Sequence, residues 1–138
     1  MKKVVMPLVA VTIILLAFIQ LPVSEAKESW IRITQPSPGI YFHGDKILSL
    51  KSAVVIIGEN TLHIEAEGSS NIIAVYFSMY DAMKKDMVAS YWDVNSDDGW
   101  GHDFELARGI YIIMAAGAAI DIDEPVAIDW IMLFVWIK

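Results

Sequence analysis

The residues best suited to chemistry gather in the acidic run Asp93-Val-Asn-Ser-Asp-Asp-Gly99. Asp93, Asn95 and Asp97 place oxygen-bearing side chains at alternate positions ahead of a glycine, the spacing by which a loop collects oxygens around a calcium ion. Asp98 stands where such a loop needs its turn-forming glycine, and Phe104 where it needs a bidentate glutamate. Asn and Asp also make turns unaided, by hydrogen-bonding their own backbone. A solvated acidic turn is therefore the preferred reading, and calcium is the one cofactor the sequence suggests. His43, His63 and His102 fall on three different expected elements, none with the short spacing of a zinc-ligand pair. Isolated surface histidines are preferred over a zinc site built across a sheet. Hydrolysis has less support still. Carboxylates are plentiful, but a catalytic acid pair is defined by separation in space. There is no G-x-S-x-G, no cysteine and no glycine-rich phosphate loop, so the chain is expected to be non-catalytic.

A second group of residues is suited to contact rather than catalysis. In Ile110–Ala116 the stripe Ile110/Ile112/Met114 and the stripe Tyr111/Ile113/Ala115 are both apolar, and both faces of Trp130–Ile137 are apolar as well. Half-buried antiparallel strands alternate apolar and polar residues, so something is expected to cover the outer face of the sheet that joins these strands to Ile73–Tyr80. Tyr76, Tyr111, Ile113 and Trp130 are the candidate contact residues, of a composition favoured at protein interfaces. On this assignment Tyr111→Lys or Ile113→Lys leaves the fold intact and dissociates an assembly. Central strands shielded by loops, or an N-terminal helix packed on the face, would account for the pattern without a partner.

The elements that hold these residues read as short strands between turns. Thr61–Glu67 alternates cleanly, with Leu62, Ile64 and Ala66 on one side and His63, Glu65 and Glu67 on the other. From Ile72 to Tyr80, Val75, Phe77 and Met79 form one stripe. Gln35-Pro-Ser-Pro-Gly39 halts any regular element and marks a turn or an edge crossing. Met79–Ala89 is simplest as a hairpin, although its Met and Lys residues could form a helical turn. Short β-rich runs between Gly, Pro, Asp and Asn punctuation point to a sandwich or barrel.

Ahead of these strands, Lys2 and Lys3 precede an uncharged apolar run from Val4 to Val23, and Ser24 and Ala26 are small residues three and one positions before a cut after Ala26. That is the pattern of a secretory signal peptide, while an uncleaved anchor is the alternative, because about 20 apolar residues suffice to span a bilayer. The chain is thus expected to divide into residues 1–26, a signal peptide or membrane anchor helix, and residues 27–138, a single domain outside the cytoplasm. With Lys2, Lys3 and Glu25 set aside, eight Lys and Arg residues face sixteen Asp and Glu residues. Nucleic acids and anionic lipids both reward positive patches, so no nucleic-acid partner is expected, and membrane contact only through the N-terminal segment. A domain without cysteine must hold itself by packing and sheet hydrogen bonds rather than disulfides, which suits a prokaryotic surface protein.

The stretch Ile33-Thr-Gln-Pro-Ser-Pro-Gly-Ile-Tyr-Phe-His-Gly-Asp-Lys-Ile-Leu-Ser-Leu50, followed by Val54-Val-Ile-Ile-Gly58, resembles the opening of the bacterial and archaeal Ig-like domains of large secreted and surface-attached proteins. Those domains begin I-x-x-P-x-x-G-[IL]-Y-x-x-G-x-x-I-L-x-L and continue into an apolar I-I-I-G strand. Ile72, Val75, Phe77 and Met79, then Arg108–Ala116 and Ala127–Ile137, match the later strands in order. The resemblance covers nearly all of residues 30–138. It implies an immunoglobulin-like β-sandwich of about seven antiparallel strands, with a structural or adhesion role at a cell surface. This chain departs from the pattern in being a single module and in its far more apolar last two strands, which weakens a reading as a mere spacer. The alternative is a carbohydrate- or protein-binding module that uses an aromatic, apolar sheet face or the loop around Trp92 and Trp100.

Overall fold

The computed structural model describes residues 28–97 and 99–137. The expected signal or anchor segment, residues 1–26, lies outside the described residues. Ten strands follow in order: β1 Ile31–Gln35, β2 Gly39–Phe42, β3 Asp45–Ser49, β4 Ala53–Ile57, β5 Thr61–Gly68, β6 Ala74–Asp81, β7 Asp86–Asp93, β8 Trp100–Glu105, β9 Gly109–Ala118 and β10 Ala127–Trp136. Among the described residues no helix is long and apolar enough to cross a membrane.

Two sheets face each other. One has three strands, β1-β5-β8, and the other seven, β3-β2-β4-β10-β9-β6-β7. Three-on-four packing of β1-β5-β8 against β7-β6-β9-β10 is the strand order of an immunoglobulin-like sandwich. The expected all-β sandwich of two sheets is present, with ten strands and two parallel pairings in place of the seven antiparallel strands anticipated. β4 runs parallel to β10, and β2 runs parallel to β4. These pairings join segments far apart in sequence, or step over a strand, so the turn signals around Gly44 and Gly58 carried no trace of them.

Local chemistry accounts for the turns. His43 and Gly44 both take positive φ, at 49° and 90°, which is the two-residue hairpin geometry that carries β2 into β3 with the right-handed strand twist. Gly58 also has positive φ, and a Cβ there would sit 2.6 Å from the His43 ring. At the β6–β7 hairpin, Asp81 Oδ1 accepts the backbone N–H groups of Met83 and Lys84, each at 2.9 Å, so Met79–Ala89 is a hairpin and not a helical turn. β1 ends at Gln35, and the proline-rich run that follows carries the chain into the other sheet.

The core lies between the sheets. Leu62, Ile64 and Ala66 of β5 meet Val75, Phe77 and Met79 of β6, with Val54, Ile56, Leu133 and Val135 beside them. The alternation seen in Thr61–Glu67 is thus realised in the fold. Asp129 ties the layers together at one edge: its Oδ2 accepts the Ile33 N–H of β1 at 2.8 Å, and its Oδ1 accepts the Trp130 N–H at 2.9 Å.

Candidate functional site

The two outer faces of the sandwich differ in chemistry. On the three-stranded sheet, residues opposite the core are charged. Arg32 meets Glu67 at 3.2 Å, and His63 stands between Asp103, at 2.5 Å, and Glu65, at 3.6 Å. The hydrogen bond that the His63 ring donates to the Asp103 carboxylate raises the His63 pKa above 6.5, against a smaller opposing effect of burial and with the charges of Asp103 and Glu65 adding to the rise. Such alternation is normal for an antiparallel sheet with one face in water.

The seven-stranded sheet breaks the rule. Strand register lines its outward residues into rows that cross the sheet. One runs Ile110, Phe134, Val55, Ile40, Leu48 through five strands. The next runs Tyr80, Ile112, Met132, Ala53. Another joins Ser90, Ser78, Met114 and Trp130, and a fourth joins Trp92, Tyr76, Ala116 and Ile128. The outward positions of β2, β4, β6, β9 and β10 hold no charged residue. Trp130 is 50% exposed and Trp136 58% exposed. The rows have relief: Met114, Ala116 and Ser78 are nearly closed to solvent although they lie outside the inter-sheet core, because taller neighbours flank them. Tyr76 leans on Trp92 with ring centroids 4.9 Å apart. At the rim, the Arg108 guanidinium lies 4.4 Å from the Trp136 ring centroid and donates two hydrogen bonds to the Ile137 carbonyl.

The candidate contact residues divide accordingly. Tyr76 and Trp130 stand on this outer face. Tyr111 and Ile113 do not: they are 3% and 0% exposed and belong to the inter-sheet core. When both stripes of a strand are apolar, a one-residue shift in assignment exchanges the faces, and that shift occurred here. The Tyr111 hydroxyl donates to the Ala107 carbonyl at 2.9 Å. This is the tyrosine corner of immunoglobulin-like sandwiches, in which the ring packs inside and the hydroxyl ties down the preceding loop. Burial raises the Tyr111 pKa above 10, the charge of Asp81 adds to the rise, and the Ala107 hydrogen bond opposes it. The tyrosine two residues after Gly109, at the start of a strand, was the available signal. The outward stripe that sequence reasoning left unassigned is Ile110, Ile112, Met132, Phe134 and Trp136, joined by Val55, Ile40 and Leu48 from strands whose position in this sheet depends on the parallel pairings.

The acidic loop is organised by its own backbone. Asp93 is buried, and its two oxygens accept the N–H groups of Asn95 and Gly101 at 3.0 and 2.9 Å. Asn95 Oδ1 accepts the Asp97 N–H at 3.0 Å. These oxygens point to separate backbone donors, which is turn chemistry; Asp98 lies outside the described residues. Among the described residues no three His, Cys, Asp or Glu side chains group in a way that could hold a metal ion. Each histidine has its own neighbours: His43 packs edge-on to Phe42, His63 lies on the charged face, and His102 stacks on Tyr91 with centroids 3.9 Å apart, although His63 and His102 line one cavity. Trp92 is exposed on the outer face, whereas Trp100 is in the core, so the two do not form one aromatic platform.

No family model matches the chain, and no curated protein matches it. Among solved structures, the fibronectin(III)-like modules of Clostridium thermocellum CbhA are similar, with 14% sequence identity and a TM-score of 0.48, over 76% of this chain and 93% of that chain. A likeness at that level does not bear on function.

Proposed function

We propose that this chain is a non-catalytic, extracytoplasmic Ig-like module with a structural or adhesion role at a prokaryotic cell surface, and that it works through the outer face of its seven-stranded sheet. The observation that carries this reading is the set of uncharged rows crossing that face. Soluble monomers rarely leave a contiguous apolar patch above a few hundred Å² open to water, and here Trp130, Phe134, Trp136 and Leu48 stand exposed on one uncharged face. The signal-like N-terminus supports the address, and the lack of cysteine supports a prokaryotic setting.

A protein occupant fits better than a carbohydrate. A sugar stacks on aromatic rings but also brings hydroxyls that lose water and need hydrogen-bond partners. The central rows offer little beyond Ser78, Ser90 and the tyrosine hydroxyls. Hydroxyl-radical footprinting of the exported protein tests the reading. Met132, Phe134, Trp130 and Trp136 are expected to be protected in the native assembly and to react after dilution or denaturation. Full reactivity of these four side chains under native conditions would refute a contact role. Protease shaving of intact cells tests the address, with cleavage expected without lysis.

A further inference from the structure

The outer face needs an occupant of matching breadth, and we infer that it is a second copy of this chain, packed sheet to sheet about a two-fold axis. This rests on the reading of that face as a contact surface. Three observations favour the second copy.

The first is area. The five strands β7-β6-β9-β10-β4 span roughly 20 Å at the usual strand spacing, and the ten-residue β9 and β10 extend about 33 Å. The footprint is roughly 700 Å² per copy, inside the range of stable protein interfaces, which bury about 600–1,000 Å² on each partner. A helix formed by Val4–Val23 would be about 10–12 Å across and would leave most of the rows open.

The second is relief. β10 carries a ridge, Trp130, Phe134 and Trp136, which remains substantially exposed. On β9 and β6 the outward positions Ala116, Ala118, Ala74 and Ser78 are small, and Ser78 is a pit between the outward Tyr76 and Tyr80. A two-fold axis parallel to β9 sets the β10 ridge of one copy over β6 of the other, and the reverse, so that Trp130 comes over the pit at Ser78, with which it shares a row. That is the self-complementarity an isologous dimer requires.

The third is charge. Sixteen acidic against eight basic residues in 27–138 make copies repel wherever charged surfaces meet. The outer face is where they can approach without that repulsion. The same acidic balance disfavours an anionic lipid surface, which rewards basic residues.

Sedimentation equilibrium of the exported protein from nanomolar to about 100 µM, paired with footprinting, tests the inference. The wild type is expected to be a dimer at micromolar concentration. Trp130→Lys and Tyr76→Glu are each expected to be monomeric with unchanged far-ultraviolet circular dichroism. An equimolar mixture of the two variants is expected to regain a heterodimer, since one β10–β6 contact then joins Lys to Glu and the other is wild type. That recovery also shows that both variants fold. Three results would overturn the dimer. A wild-type monomer with a protected outer face would assign it to the N-terminal segment or a foreign protein, and would leave the contact reading standing. Wild-type protein that floats with zwitterionic vesicles as a monomer would assign the face to lipid. A monomer with a reactive face would overturn both the dimer and the reading beneath it.

Discussion

Ile112 and Ile113 are neighbours on β9 with opposite orientations, and truncating each to alanine measures the difference. Ile113 is fully buried in the core, beside Met79 and Ile131 of the neighbouring strands. Alanine removes three carbons, about 2.4 kcal/mol of transfer free energy at about 0.8 kcal/mol each. The cavity left behind adds about 1 kcal/mol if part of it fails to collapse. The expected loss is about 3–4 kcal/mol, a large share of the 5–15 kcal/mol typical of a domain. For a domain of this size it corresponds to a fall in Tm on the order of 10–15 °C. Ile112 is half-buried on the outer face, and its truncation in the monomer is expected to cost about 1 kcal/mol or less. Urea unfolding followed by tryptophan fluorescence, at a concentration low enough to keep the chain monomeric, gives both values. If Ile113→Ala loses less than Ile112→Ala, the orientation of β9 is reversed and the account of the outer face fails with it. The same burial reverses an expectation drawn from the sequence: Tyr111→Lys and Ile113→Lys should unfold the domain rather than dissociate an intact one, because each would place an unpaired ammonium between the sheets.

Removing the Tyr111 hydroxyl with Tyr111→Phe leaves the Ala107 carbonyl without its 2.9 Å partner and is expected to cost about 1–2 kcal/mol, read from the urea midpoint with an unchanged m-value. Asp93→Ala strips the Asn95 and Gly101 N–H groups of a buried acceptor. A loss of about 2–4 kcal/mol is expected, and calorimetry in chelator should return the same figure, because the carboxylate serves the backbone. The His63 pKa is raised in the folded protein from 6.5. The stability it contributes is therefore full below pH 6.5 and is lost as pH rises through the folded value. With that side chain about half open to water, screening holds the effect to a few tenths of a kcal/mol. His63→Gln should flatten this part of the stability profile between pH 5.5 and 8.5, and a titration of the His63 ring signal with a midpoint below 6.5 would contradict the assignment.

Where polar and apolar residues alternate, local sequence was enough. Thr61–Glu67 announced both its strand and its buried side, because the polar His63 and the carboxylates of Glu65 and Glu67 have one low-energy direction, toward water. The Val75, Phe77 and Met79 stripe was equally readable, since each strand needs only one face in the core. The acidic turn was legible too, because Asp and Asn act on their own backbone over two or three residues. The excess of apolar residues in β9 and β10, and the inference that the sheet they share has an outer face to cover, were also present in the sequence alone.

Only the tertiary structure decided which apolar stripe faces out. The pleat orders side chains with a period of two, but when both sets are apolar the pattern is symmetric and carries no sign. The sign came from Tyr111, whose ring must enter the core for its hydroxyl to reach Ala107, and from the three-stranded sheet that covers Ile113 and Leu133. The breadth of the outer face was decided the same way. Ile40, Leu48 and Val55 join Phe134 and Ile110 in one row only because β4 pairs in parallel with β10, and a contact between residues some eighty positions apart leaves no local signal in either strand.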